Sequence, residues 1–392
     1  MPDENRSIGV AVVGFGWMGR VHTQAYSRLP HHFSVKRPAA LIAVVDEIAD
    51  RGATAAARFG FSRSVTDWRR LLDDPTIEAV SITAPNYAHR ELGEAFASAG
   101  KHIWIEKPVG VTSADARAVQ SAVHTAGVQS VVGFNYRNVP AVQEARNLVA
   151  AGAIGRVTHA SLRMLGDYAA DAAGAFTWRY ELARAGHGVI GDLASHAIDL
   201  IIHLLGDIDE VVADGAIFVP ERRRPRAVTT GHARVEDGEL VVVENEDWLS
   251  AILRLRSGAR VTLEASRVAV GHQNDYGLRI HGTRGVIEWD FRRMGELGVA
   301  IGDAAQDLPI ATTFVGPRVG DFGAFQPGAA IAMGYDDLKV IEAEAFLRSI
   351  ASGAPAEASI DAAVAVADVL DALADSASRR TWVSIGNERA RA

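Results

Sequence analysis

From residue 8 to about residue 134 the chain alternates short apolar runs with longer amphipathic stretches, the βαβ rhythm of a parallel sheet covered by helices. The runs Ile8–Val13, Leu41–Asp46, Ala79–Ala84, His102–Ile105 and Gln129–Gly133 are short and rich in Val or Ile, and we read them as strands. Helices are predicted at Met18–Leu29, at Asp67–Leu72 behind Thr66, at Arg90–Ala99 closed by Gly100, and at Ala114–Ala126 between Thr112-Ser113 and Gly127. After Pro140 the rhythm changes. A helix at Ala141–Ala151 and the segment Gly186–Leu205 are followed by strand candidates Trp248–Leu255, Arg260–Val268, Leu278–His281 and Val286–Trp289. Ser257-Gly258 and Gly282-Thr283-Arg284-Gly285 supply hairpin turns, so this second sheet is expected to be antiparallel. The stretch 295–334 has little periodicity and is expected to form long loops. Helices follow near Asp336–Ala351 and Asp361–Ser378, with a last strand at Trp382–Ile385. The expected division is 1–134 and 135–392.

The chain has 392 residues, more than the ~100–200 of one domain. Its 40 basic against 48 acidic residues give a net charge of −8, which argues against nucleic acid as a main partner. The run Glu221-Arg222-Arg223-Arg224-Pro225-Arg226 is read as a solvated loop. With no cysteine there is no disulfide, thiolate metal site or thiol nucleophile. Met1-Pro2-Asp3-Glu4 is acidic where a secretory signal would be basic, and Ile8–Gly19 is the nearest approach to a membrane span but carries four glycines. A cytoplasmic protein without membrane contact is expected.

Gly14-Phe15-Gly16-Trp17-Met18-Gly19 directly follows the first strand and opens a helix. In that context the spacing has a cause: Gly14 takes the tight turn, Gly16 lets the backbone approach a pyrophosphate, and Gly19 lets the helix pack on the strand. A turn without a ligand is the alternative. Asp46 ends the second strand, where a carboxylate can accept both hydroxyls of an adenosine ribose and would repel a 2′-phosphate. NAD is therefore expected. Asp46 could instead cap the following helix, and Arg51 is near enough to meet a 2′-phosphate, which leaves NADP open.

Glu106-Lys107-Pro108 stands at the carboxyl end of a strand, where open α/β sheets bind ligands. Desolvation beside an oxidised nicotinamide would ease the proton of Lys107, which could then share in proton transfer; a plain surface lysine is the alternative. Asp192, His196, Asp199 and His203 fall at helical intervals and make one narrow polar stripe on an otherwise apolar helix. Such a helix suits the wall of a polar cavity. A histidine titrating near ~6.5 fits general-base removal of a hydroxyl proton, and Asp192 one turn earlier can orient substrate or ring. A metal held by this stripe lacks a convincing further ligand, and no metal is expected. A Ser195–His196 hydrolase pair is disfavoured because neighbouring side chains on a helix point apart.

With these residues in hand, the chain resembles the glucose-fructose oxidoreductase, inositol dehydrogenase and rhizopine catabolism family, Gfo/Idh/MocA. The likeness rests on Gly14–Gly19, Thr83-Ala84-Pro85-Asn86-Tyr87-Ala88-His89, Gly100-Lys101-His102 leading to Glu106-Lys107-Pro108, Gly133-Phe134-Asn135-Tyr136-Arg137, and Gly188 through Asp199. It implies an α/β N-terminal Rossmann domain and an α+β C-terminal domain with a large open, mostly antiparallel sheet that pairs subunits into homodimers or homotetramers. It also implies Lys107 as active-site lysine, Asp192 as substrate-binding acid and His196 as general base, with Ala84, Pro85, Asn86, His89 and Glu106 around the cofactor. Asp167-Tyr168, Thr177-Trp178-Arg179, and Glu264-Ala265-Ser266-Arg267 with Asn274 look similar to the branch acting on sugars, anhydrosugars such as levoglucosan, and cyclitols. Tyr136, Arg137, Tyr168, Trp178 and Arg179 are the resulting pocket candidates, with core or interface packing as the alternative. His187 departs from the Gly or Ser of many relatives.

The expected activity is oxidation of a secondary hydroxyl, with hydride passing to nicotinamide. Two rivals stay open. One is a glycoside-cleaving enzyme that oxidises its substrate only transiently on retained NAD; the other is a sugar- and dinucleotide-sensing protein without turnover.

Overall fold

A computed structural model describes residues 6–226 and 233–386, so the acidic start Met1–Glu4 lies outside the described residues. The first part of the chain runs β1 (Ile8–Val13), α1 (Trp17–His32), β2 (Ala39–Val45), α2 (Ala49–Phe59), β3 (Arg63–Val65), β4 (Ala79–Ile82), α3 (Asn86–Ser98), β5 (His102–Ile105), α4 (Ser113–Ala126) and β6 (Ser130–Val132). Its strands form one sheet in the order β3-β2-β1-β4-β5-β6, parallel throughout. The order reverses between β1 and β4, which is where such sheets open a crevice for a dinucleotide. Local signals account for much of this. Thr112 and Asp115 cap α4 reciprocally, and Gly127 ends it at φ +65°. The expected helix at Asp67–Leu72 is a 3₁₀ turn, Trp68–Leu71, capped by Asp67 rather than Thr66.

The chain continues with α5 (Pro140–Ala150), β7 (Val157–Leu165), α6 (Leu182–Ala185), α7 (Ser195–Leu205), β8 (Ile208–Ala216), β9 (Glu221–Arg223), β10 (Leu240–Val242), β11 (Trp248–Leu255), β12 (Arg260–Ser266), β13 (Asp275–Gly282), β14 (Gly285–Asp290), β15 (Glu296–Ile301) and β16 (Ala311–Phe314). It ends with α8 (Tyr335–Ser352), α9 (Ile360–Arg379) and β17 (Val383–Ser384). A nine-stranded sheet has the order β16-β15-β14-β13-β7-β12-β11-β8-β17. It is antiparallel except where β7 lies parallel to β12. The expected long loops of 295–334 thus contain two strands, β15 and the edge strand β16, the second exposed along its whole length.

Two compact units result, and their boundary departs from the 134/135 division. Residues up to Asn138 group with Met333–Ala365, while Val139–Ala332 groups with the chain from Val366 on. The reason is packing: α8 lies against α1 and β6, and Val132 N–H bonds to Ala358 O at 2.7 Å. Tyr136 and Arg137 therefore belong to the first unit. The charge run at 221–226 is also more than a solvated loop. Arg222, on β9, is 1% exposed and donates to Asp171 O and, in a close contact, to Ala169 O, with its guanidinium 4.5 Å from the Tyr180 ring centroid. Leu182–Leu205 is apolar and long enough to cross a membrane by composition, more so than Ile8–Gly19, but 78% of its apolar window is buried inside this protein.

Candidate active site

In the first unit the glycine loop closes against the β4 end. Gly14 has φ +88°, and a Cβ there would lie 2.9 Å from Ala84 Cα; at Gly19 it would lie 2.3 Å from Gly14 O. Neither position admits a side chain. At Gly16, by contrast, nothing lies within 4 Å of a Cβ, so the loop presents bare backbone to open space. Gly16 is the N-cap of α1 and supplies no side-chain bond to the first helical N–H groups, which are left for an anion. These features fit a dinucleotide pyrophosphate. Trp17, 60% exposed, stacks on Tyr335 with 5.4 Å between centroids, and the Tyr335 hydroxyl lies 3.8 Å from Met18 Sδ.

Asp46 follows β2 directly and reaches the same loop. Its Oδ2 accepts from Phe15 N–H at 3.0 Å and from Arg51 Nε at 2.7 Å, while Oδ1 accepts from Ile48 N–H at 2.8 Å. Both sequence readings of Asp46 thus have a counterpart: it stands beside the glycine loop, and it bonds the N-cap residue of α2. Arg51 is already paired with it.

Pro85 is the N-cap of α3 and Asn86 its first residue. His89, buried on that helix, ties two turns of the sheet edge together: Nε2 is 2.7 Å from Ala84 O and Nδ1 is 2.7 Å from Pro108 O. Lys107 and Pro108 are joined by a cis peptide bond. Glu106, one of the residues expected around the cofactor, turns its carboxylate to Lys339 at 2.6 Å and His22 at 2.9 Å. Neither partner was foreseen. Tyr136 is buried and meets Tyr335 edge-on at 6.4 Å, and the Arg137 guanidinium lies 5.8 Å from the Phe134 ring centroid.

In the second unit a π-helical turn, Ile190–Ala194, precedes α7, so the predicted stripe is not on one regular helix. Such turns often mark functional positions. Glu246 starts the segment: its carbonyl accepts from Val189 N–H at 2.9 Å and its Oε1 from Ile190 N–H at 2.8 Å. Gly188 is required here, because a Cβ would lie 2.1 Å from Glu246 O. The stripe divides along its length. Asp192 accepts from the Tyr168 hydroxyl at 2.5 Å, His196 and Asp199 are buried, and His203 faces Gln143 of α5 at 3.4 Å. Burial, then the Asp192 charge, pushes the Tyr168 phenol well above its ordinary range; burial and Asp192 raise Tyr276 as well. Tyr168 therefore stays a donor to Asp192. Arg179 is exposed, its guanidinium 4.5 Å from the Trp178 ring centroid, so this pair stacks on itself. His187 Nε2 lies 3.1 Å from Asp371 Oδ1. An open recess lined by Phe218, Trp248, Glu264, Ser266, Val270 and His272 contains none of the predicted catalytic residues.

Residues 8–134 match the oxidoreductase family with NAD-binding Rossmann fold, and residues 142–288 match the GFO/IDH/MocA C-terminal domain. Levoglucosan dehydrogenase of Pseudarthrobacter phenanthrenivorans is 36% identical over 387 residues, covering 97% of this chain and 98% of the relative. Inositol 2-dehydrogenase of Rhizobium meliloti is 25% identical, with 97% and 99% covered. The structure of levoglucosan dehydrogenase in complex with NADH and levoglucosan superposes with a TM-score of 0.91 at 34% identity, over 97% of this chain and all (100%) of that one.

Proposed function

The chain belongs to the Gfo/Idh/MocA oxidoreductases, and from that premise we propose that it oxidises a secondary hydroxyl of a sugar, anhydrosugar or cyclitol with NAD. One observation carries the reading: a likeness along nearly the whole chain to an anhydrosugar dehydrogenase, with Lys107, Asp192 and His196 all present. NAD, when bound, accepts the carbon-bound hydrogen as hydride.

The residues Gly14 to Gly19 and Asp46 hold the dinucleotide, with Ala84, Pro85 and Asn86 beside it. His196 takes the hydroxyl proton. Lys107 donates to the hydroxyl oxygen, Asp192 orients the substrate or the His196 ring, and Tyr168 fixes the Asp192 carboxylate by the bond just described. Tyr136, Arg137, Trp178 and Arg179 are proposed to face the polyol. Assembly through the nine-stranded sheet into dimers or tetramers, and a cytoplasmic location, belong to the same proposal.

A screen of NAD and NADP reduction over levoglucosan, inositols, aldoses and glycosides tests this reading, with the oxidised carbon identified for each hit. NADH formed in proportion to a ketone product supports it. Glycoside cleavage without net NADH points to transient oxidation instead, and silence across the panel removes the proposal. A second expectation concerns the cofactor alone. Asp46→Ser should weaken NADH binding by about tenfold, the worth of one charge-assisted hydrogen bond, and narrow the preference over NADPH. Calorimetric titration of both cofactors decides it, and an unchanged ratio of affinities counts against the role of Asp46.

A further inference from the structure

Glu106 immediately precedes Lys107, and its side chain is 10% exposed. The Lys339 ammonium and the His22 ring, both fully buried, converge on the same oxygen, Oε1. Lys339 comes from α8, 233 residues later in the chain, and is held from its other side by Glu342 Oε2 at 2.8 Å. His22, from the second turn of α1, stacks on Trp104 of β5 with 3.6 Å between centroids. The interior is shaped for this carboxylate. A Cβ on Gly133 would lie 2.5 Å from Glu106 Oε2, so a glycine makes the room.

Such a cluster is a poor way to gain stability, because desolvating its charges costs about as much as their attraction returns, and apolar side chains of like volume serve as well or better. What directional bonds to a buried carboxylate do supply is a fixed position. Burial opposes the charge on both Glu106 and Lys339, yet each holds the other ionised: the Glu106 carboxyl lies below its ordinary range and the Lys339 ammonium above its own. On the far side of the turn, His89 meets Pro108 O. The Glu106-Lys107-Pro108 turn is therefore fastened at its first and last residues, leaving Lys107 between two anchors.

We propose that Lys339 is a positioning residue for Lys107: by clamping the Glu106 carboxylate inside the first unit, it sets the direction in which the Lys107 ammonium is presented. The inference rests on the reading of Lys107 as the group that holds the reacting oxygen. Its test uses the full-length chain with Lys339→Met and with the double variant Lys339→Met/Glu106→Gln. The single variant leaves the buried Glu106 and Glu342 carboxylates without their ammonium, and both melting temperature and turnover should fall. The double variant removes both charges, and at about pH 6 the remaining Glu342, raised by burial to about 7 and no longer opposed by Lys339, is neutral, so the melting temperature measured there should return close to the parent's while kcat stays down about 10²-fold, the effect of displacing an active group by about 1 Å. NADH binding should be retained in Lys339→Met, which leaves Glu106 in place. Recovery of kcat together with melting temperature in the double variant would mean the cluster serves stability alone and would overturn the proposal. Crystal structures of parent and double variant give a reading that needs no substrate: Lys107 Nζ should move by about 1 Å or more. An unmoved Lys107 overturns the inference even if the substrate screen succeeds, and a moved one supports it even if that screen fails.

Discussion

His196→Asn is expected to lower kcat by about 10² to 10⁴-fold, the usual worth of a positioned general base, while NADH binds as it does to the parent. Asparagine keeps a polar group of similar reach at the start of α7 but cannot take a proton near neutral pH. His196 lies in the second unit, whereas the residues proposed to hold the dinucleotide lie in the first, so the two properties should separate. Steady-state kinetics on the best substrate of the screen, with calorimetry for NADH, makes the measurement. Undiminished turnover would remove His196 from the mechanism. Loss of turnover without loss of a biological response would favour the sensing alternative.

The parts of the fold that could be read from the sequence are those whose cause is local. The glycine loop, the Thr112 cap with its Gly127 stop, and β11, which runs from Trp248 to Leu255 as expected, all carry their signals within a few residues. β7 and β8 carry no hairpin turn and owe their place to partners far away, β7 lying between β12 and β13. Arg222 looked solvated because its neighbours are charged, and only the fold brings the Ala169 and Asp171 carbonyls to it. The return of Met333–Ala365 to the first unit is likewise tertiary. Lys339 and Glu342 did leave a trace. They stand among Leu338, Val340 and Ile341, where a lysine and a glutamate three residues apart inside an apolar run suggest a buried pair rather than a solvated face. Nothing local names Glu106 as their partner.

That cluster makes a second large effect measurable, in stability rather than rate. Burial, against the pull of Glu106, lowers His22 from 6.5 to about 4. Its contribution is therefore complete above pH 6.5 and is lost as pH falls toward 4. Burial raises Glu342 from 4.5 to about 7, partly against Lys339. Its contribution is complete below pH 4.5 and is lost as pH rises through 7. The two slopes oppose each other between pH 4.5 and 6.5, and each spans about 3 kcal/mol, so together they leave the parent's stability nearly level there. Glu342→Gln removes the falling slope: measured against the parent, its stability should climb from pH 4.5 to 7. His22→Gln, which keeps a donor for Glu106, removes the rising one, so its difference from the parent should decline from pH 4 to 6.5, the window in which His22 changes charge. Urea unfolding of the three chains across this range reads both differences, and groups common to all three cancel. Difference curves that stay flat, or that both slope the same way, would show that His22 and Glu342 do not titrate against each other behind the Lys107 turn.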